Sequence, residues 1–171
     1  MNVLAISGSL RATSSNAAII RAAAGLGAPA ITIEVYDQVA ALPHFSPDLD
    51  VVPLPAPVAA LRDAVGRSEA LVITTPEYAH GMPGSLKNAL DWLASATEPI
   101  DKAVLLISAS PSGAAHAHAQ LSEVLRTMSM RVVDGGAHVF SRAKLDRDGN
   151  VTDEALLAAI RAGLTQLAGP R

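Results

Sequence analysis

Short hydrophobic segments alternate along the chain with segments of helical composition. Five short segments are mostly apolar at consecutive positions, which is typical of strands buried on both faces of a parallel sheet. They are residues 2–6, 31–35, 70–74, 103–107 and, more weakly, 131–139. The pattern therefore predicts five parallel strands.

Four segments of helical composition lie between these strands, and a fifth follows the last strand. They are residues 16–25, 55–68, 84–95, 114–130 and 152–167. Gly25 and Gly27 mark the end of the first helix, and Thr152 with Asp153 marks the start of the last one. A proline-rich stretch, residues 42–57, predicts an extended surface loop.

The alternation of strands and helices predicts right-handed crossovers and hence a single α/β domain over residues 1–171. We expect a three-layer sandwich with a five-stranded parallel sheet in the order 2-1-3-4-5. Sheets of this kind bind ligands at the carboxyl ends of their strands. The candidate ligand loops are therefore residues 7–15, 75–83 and 108–113.

Composition excludes several kinds of chemistry. The 171 residues include no cysteine, which excludes a disulfide scaffold, a cysteine nucleophile and a thiolate metal site. A net charge of −3 argues against nucleic-acid and membrane partners. No targeting segment stands out, and the apolar segments are too short to span a membrane. We therefore expect a cytoplasmic protein.

The loop after the first strand has the composition of an anion site. Its hydroxyls, its arginine and the free N–H groups of the following helix together suit a phosphate monoester. The plainer alternative is a capped loop with nothing bound. The residues concerned are Ser9, Arg11, Thr13, Ser14, Ser15 and Asn16.

Two prolines, Pro76 and Pro83, and two glycines, Gly81 and Gly84, fix the backbone of the loop after the third strand. A rigid backbone of this kind can present N–H and C=O groups to the edge of a flat heterocycle. Tyr78, one of few aromatic residues, lies in the predicted ligand crevice. The helix that follows places Leu86, Leu90 and Leu93 on one face.

Two motifs carry a specific resemblance. The first motif is Gly8-Ser9-Leu10-Arg11 with Ser14 and Asn16. The second is Thr75-Pro76-Glu77-Tyr78 ahead of Pro83-Gly84-x-Leu86-Lys87-Asn88-Ala89-Leu90-Asp91-Trp92. Together they resemble the NAD(P)H-dependent FMN reductase family. The resemblance spans residues 1–164. It implies a flavodoxin-like fold, FMN as cofactor and NAD(P)H as co-substrate. It also implies a quinone, flavin, azo or metal-oxyanion acceptor, with hydride passing through flavin N5 and no catalytic side chain.

The resemblance also implies roles for particular residues. The FMN phosphate would be held by Ser9, Arg11, Ser14, Ser15 and Asn16. The flavin ring would be held by Pro76, Glu77, Tyr78, Ala79, His80 and Gly81, and by Ser108, Ser110 and Gly113 of the third loop. Two departures stand out: Ala79 replaces the asparagine common in the family, and the third loop is poor in glycine.

A homodimer or homotetramer is expected for two reasons. Lys87, Asn88 and Asp91 match a family motif on a helix that often lies at the dimer interface. We also expect the apolar face of the helix at residues 84–95 to need a covering subunit.

Other functions and sites remain as alternatives. A one-electron carrier of the same fold is disfavoured by the modest net charge and by the single crevice aromatic, and a non-catalytic flavin-binding module stays open. His116 and His118 are two residues apart on a helix, so we predict no metal site there. For Glu77 we favour a structural hydrogen bond over a catalytic role, and Trp92 is predicted to pack in a core or subunit interface.

Overall fold

A computed structural model describes residues 1–11 and 13–169, and Ala12 and the last two residues lie outside this description. The strands are β1 (Asn2–Ser7), β2 (Thr32–Tyr36), β3 (Ala70–Thr75), β4 (Ala103–Ser110) and β5 (Arg131–Val139). The helices are α1 (Ser15–Gly27), α2 (Ala56–Arg67), α3 (Gly84–Ala94), α4 (Ala115–Thr127) and α5 (Glu154–Leu167). These are the elements predicted from the pattern, with ends that shift by about three residues or fewer.

The five strands form one parallel sheet in the order β2-β1-β3-β4-β5, as predicted. Leu4 of β1 pairs with Leu71 of β3, and Ile73 of β3 pairs with Leu106 of β4. A β-bulge interrupts the pairing of β4 with β5 between Leu106 and Ser108. Because the pairing is parallel, the carboxyl ends of all strands lie at the same edge of the sheet.

The prediction that strands are buried on both faces is confirmed for the inner strands and is wrong for the edge strands. Every residue of β3 and β4 is buried. Only Tyr36 of β2 and Gly135 of β5 are buried, because an edge strand has a neighbour on one side only. The continuous apolar pattern thus identifies the centre of the sheet better than its edges.

Two hydrophobic layers cover the faces of the sheet. On one face, α2, α3 and α4 contribute residues such as Leu61, Leu86 and Leu121. On the other face, α1 and α5 contribute Ile19 and Ile160. Among the described residues, none of the helices has the length and apolar character needed to cross a membrane.

The apolar face of α3 is covered by the chain itself, so the expectation that it needs a second subunit is wrong. Leu86, Leu90 and Leu93 are all buried in the core. Trp92 is also fully buried, with its Nε1 donating to the carbonyl of Pro43 at 2.8 Å and its ring edge-to-face with Phe45 at 5.1 Å. The proline-rich segment folds over α3 and supplies the cover.

Arg62 of α2 holds this segment against the end of α3. Its guanidinium pairs with Asp50 at 2.8 Å and donates to the carbonyl of Trp92 at 2.7 and 3.0 Å. Ser95 donates to the other oxygen of Asp50, and this bond, aided by Arg62, holds the pKa of Asp50 below its usual value. The side chains of Arg62 and Asp50 are only 14% and 12% exposed, so removal of one leaves the other poorly solvated.

Replacement of Arg62 is therefore expected to destabilise the fold. We expect Arg62→Ala to lower the free energy of unfolding by about 2–4 kcal/mol, measured by urea denaturation. The matched control is Arg67→Ala, at the exposed end of the same helix, with an expected effect within about 0.5 kcal/mol. Equal losses in the two variants would show that the Arg62 network contributes no special stability.

Candidate functional site

A cavity of about 330 Å³ opens at the carboxyl edge of the sheet. The loops that follow β1, β3, β4 and β5 all contribute to its walls. It is lined by Ser9, Arg11, Thr13, Ser14, Ser15, Asn16, Pro76, Glu77, Tyr78, Ala109, Ser110, Pro111, Phe140, Ser141 and Arg142. It lies where the topology predicts a ligand crevice.

The turn after β1 brings the start of α1 to this cavity. The amide of Gly8 donates to the carbonyl of Thr74 at 2.7 Å, and a Cβ on Gly8 would lie 2.9 Å from Oγ1 of Thr75. A glycine is therefore required where β1 and β3 approach each other. Ser14 caps α1, with its Oγ accepting from the amide of Asn16 at 3.1 Å. The remaining amides of the first turn are directed out of the helix end, beside the lining hydroxyls.

Asn16 connects α1 to the centre of the sheet. Its Nδ2 donates to the carbonyl of Ala109 at 3.2 Å, and its own carbonyl accepts from Thr74 Oγ1 at 3.3 Å. The residue is 3% exposed, and its Oδ1 has no hydrogen-bond partner among the described residues. A buried acceptor without a donor is unusual, and a ligand hydroxyl or a water can satisfy it.

The end of the cavity nearest α1 carries an excess of positive charge. Arg11 and Arg142 both line it, and neither forms an ion pair within the described part of the chain. Among the lining residues that the structure describes, Glu77 alone is acidic, and its Oε2 accepts from the amide of Ala117 at 2.9 Å. Two guanidinium groups, several hydroxyls and a helix N-terminus fit a phosphate monoester.

The loop after β3 ends in a tight hairpin beside the cavity. Tyr78 and Gly81 exchange two backbone hydrogen bonds, at 2.9 and 3.0 Å. The two residues between them, Ala79 and His80, have φ values of 50° and 58°. Side chains with a Cβ are strained in this left-handed region, where asparagine and glycine are favoured. The Tyr78 side chain remains 52% exposed at the rim.

Helix α4 fixes the loop that carries this hairpin. Ala114, at the N-terminus of α4, has no side-chain acceptor for the helix amides, and the carboxylate of Glu77 supplies one at Ala117. The Oε1 of Gln120 accepts from the amide of Met82 at 2.9 Å. The rings of His80 and His116 stack with centroids 4.2 Å apart. These contacts agree with the structural role favoured for Glu77.

The cavity brings together nine of the fourteen residues predicted from sequence: Ser9, Arg11, Ser14, Ser15, Asn16, Pro76, Glu77, Tyr78 and Ser110. The other five are placed elsewhere. Ala79, His80 and Gly81 belong to the projecting hairpin. Gly113 lies in a turn with a φ of 85°, and its amide donates to the carbonyl of Ser110. Ser108 is still within β4 and is fully buried.

The wall formed after β5 lies outside the three loops predicted from the sequence. Phe140, Ser141 and Arg142 line the cavity, with the buried Phe140 anchored by its amide to the carbonyl of Ser110 at 2.9 Å. The signal was available, because β5 is parallel to the other strands and its carboxyl end lies at the same edge. The crevice thus contains two aromatic residues and not the single one expected.

His118 has a carboxylate partner that its sequence neighbours do not reveal. Its Nδ1 lies 3.0 Å from Ser108 Oγ, and its Nε2 lies 3.1 Å from Asp134 of β5. Burial lowers the pKa of His118 below its usual value, although Asp134 acts in the opposite direction. Since Ser108 is fully buried, this arrangement ties α4 to the sheet and presents no accessible nucleophile. No group of three or more potential metal ligands occurs in the described ranges.

The chain belongs to the NADPH-dependent FMN reductase family, whose model matches residues 1–144. It is 32% identical to an NAD(P)H-dependent FMN reductase of Pseudomonas aeruginosa, over 98% of this chain and 93% of that protein. It is also 32% identical to a probable NADPH:quinone oxidoreductase 2 of rice, Oryza sativa, over 98% of this chain and 87% of that protein.

A solved structure agrees with this assignment. The flavoenzyme FerB of Paracoccus denitrificans, an NAD(P)H:(acceptor) oxidoreductase, superposes with a TM-score of 0.86 at 28% identity. The match covers 98% of this chain and 97% of that one. The flavodoxin-like fold is confirmed, and the expected class, an oxidoreductase family using FMN and NAD(P)H, is confirmed with it.

The lowered pKa of His118 predicts a loss of stability in acid. The unfolded chain takes up a proton near pH 6.5, the ordinary value, whereas the folded chain resists protonation to lower pH. The contribution of neutral His118 to the free energy of unfolding is therefore complete above pH 6.5, and it is lost as the pH falls through the pKa of the folded state. We expect thermal unfolding midpoints of His118→Gln to depend less on pH between 8 and 5 than those of the wild type. The exposed His44→Gln is the control, and an equal pH dependence in all three proteins would contradict the prediction.

The backbone of Ala79 predicts an unusual stabilising substitution. The φ of Ala79 is 50°, a strained value for a residue with a Cβ, so Ala79→Gly removes that strain. We expect the free energy of unfolding to rise by about 0.5–1 kcal/mol. The same change at Ala119, on the exposed side of α4, is expected to lower it by about 1 kcal/mol. Urea denaturation of both variants measures the contrast, and a destabilised Ala79→Gly would show that the turn is not strained.

Proposed function

We propose that this chain is an FMN-dependent oxidoreductase that transfers electrons from NAD(P)H to a small-molecule acceptor. The observation that carries the proposal is the cationic, hydroxyl-lined end of a cavity at the carboxyl edge of the sheet, in a chain of the FMN reductase family. Family membership favours this function over a one-electron carrier or a non-catalytic flavin-binding module.

The FMN phosphate binds at the start of α1, where Ser9, Arg11, Ser14, Ser15 and Asn16 supply a helix N-terminus, hydroxyls and charge. The ring binds toward Pro76, Glu77, Tyr78 and Ser110, at the other side of the same cavity. The other residues first assigned to the ring, Ala79, His80, Gly81, Ser108 and Gly113, support these walls from outside the lining.

FMN, when bound, supplies a redox centre whose N5 accepts and donates hydride. The protein's part is to bind and orient it. The α4 contacts of Glu77 and Gln120 hold the ring loop rigid, and the half-exposed Tyr78 leaves the rim open to a planar partner. No nucleophile or acid–base triad is needed, which agrees with a fully buried Ser108.

For the acceptor we propose a quinone, ahead of a flavin, an azo compound or a metal oxyanion. The rice relative is named as an NADPH:quinone oxidoreductase, and the exposed apolar side chains of Leu10, Tyr78 and Val139 belong to the loops and strand end around the cavity. Such groups suit an aromatic acceptor better than a hydrated oxyanion.

A homodimer or homotetramer in the cytoplasm remains our proposal for the assembly and compartment. With α3 covered by its own chain, the proposed assembly rests on the family resemblance. Sedimentation of the FMN-loaded protein tests the assembly, and a fully active monomer would contradict it.

Anaerobic titration of the purified protein tests the function. We expect FMN to bind, NADH or NADPH to bleach its visible absorbance, and a quinone such as benzoquinone to restore it. Arg11→Gln is expected to weaken FMN binding about tenfold, since it removes one charge-assisted bond to the phosphate.

Two results would contradict the proposal in different ways. Absence of FMN binding would exclude a flavoprotein. FMN binding without oxidation of either nicotinamide would favour the carrier or the non-catalytic module. Arg67→Gln, far from the cavity lining, serves as the control for Arg11→Gln.

A further inference from the structure

We infer that Arg142 is a second cation for the cofactor phosphate and makes the site select FMN over riboflavin. This inference rests on the proposed function. It concerns a residue outside both motifs that carry the family resemblance, in the short segment after β5.

The first observation is the position of the guanidinium. Arg142 lines the same cavity as Arg11, and its Nη1 lies 3.5 Å from Oγ1 of Thr13. Thr13 directly precedes Ser14, the N-cap of α1. Arg142 therefore reaches the end of the cavity where the phosphate binds, and not the end formed by the ring loop.

The second observation is that the backbone carrying Arg142 is fixed although its side chain is exposed. Phe140 is buried, and the 3₁₀ turn at Arg142–Lys144 begins after the one intervening residue, Ser141. Lys144 pairs with Asp153 at 2.5 Å and donates to the carbonyl of Val139 at 2.7 Å. Leu145 bridges to Val151. A guanidinium on such an anchored turn loses little freedom when it binds an anion.

The third observation is the charge balance. The long contact with Thr13 occupies one of five N–H donors, and no acidic side chain in the described ranges pairs with Arg142. Two guanidinium groups lie at one end of the cavity, and Glu77 at the other end is engaged with α4. A phosphate monoester carries between one and two negative charges at neutral pH, which two arginines match and one does not.

The comparison of FMN with riboflavin isolates this effect, because the two ligands differ only by the phosphate. We expect Arg142→Gln to raise the Kd for FMN about tenfold and to leave the Kd for riboflavin within about twofold. Arg142→Lys keeps the charge and loses the bidentate geometry, so we expect its Kd for FMN to lie between those of the wild type and Arg142→Gln. Quenching of flavin fluorescence at one fixed ionic strength measures each Kd without any turnover.

The control is Arg147→Gln, an exposed arginine five residues further on in the turn at residues 146–150, outside the cavity lining. We expect it to change neither Kd. An unchanged FMN affinity in Arg142→Gln would overturn the inference, and so would equal losses for FMN and riboflavin, which indicate a packing role. If the wild type binds no FMN, the proposed function fails and this inference fails with it. Wild-type FMN binding that is insensitive to Arg142 overturns this inference alone.

Discussion

The parallel pairing of β1, β3, β4 and β5 is the constraint on which the rest of the structure depends. Parallel hydrogen bonding requires a crossover after each strand, and each crossover leaves its first loop at the same edge of the sheet. Four loops from distant parts of the sequence thereby form one cavity. The complete burial of β3 and β4 stabilises this arrangement, because both faces of these strands pack against a helix layer and a change of register would disturb that close packing.

Charge is distributed along this cavity in a way that follows from the two helices beside it. The start of α1 lies at the cavity beside lining hydroxyls and the two lining arginines, Arg11 and Arg142, which suits an anion. The start of α4 already has its anion, since Glu77 occupies it from the neighbouring loop. One helix N-terminus is thus left for a ligand and the other is used to hold the ring loop. The same physical property of a helix end serves binding in one place and rigidity in the other.

Rigidity around the site comes from contacts between elements distant in the chain. The side chain of Gln120 accepts a hydrogen bond from the amide of Met82, and that of Asn16 donates one to the carbonyl of Ala109. His118 connects α4 to Ser108 and Asp134 by two more. The strained turn at Ala79 and His80 persists within this frame, because the two backbone bonds of Tyr78 with Gly81 and the stack of His80 on His116 fix it from both sides.

The sequence by itself determined the strands, the helices, their order and most of the cavity lining, because the periodicity of hydrophobic residues and the residue types that form turns are local properties of the chain. It also carried the family, through motifs that stay contiguous along the chain. Only the tertiary structure decided that residues 42–57 cover α3, that Asp134 pairs with His118, and that Arg142 joins Arg11. The residues brought together in this way are 16 to 131 positions apart in the sequence, so how the crossovers pack decides their partners, and no local pattern records that.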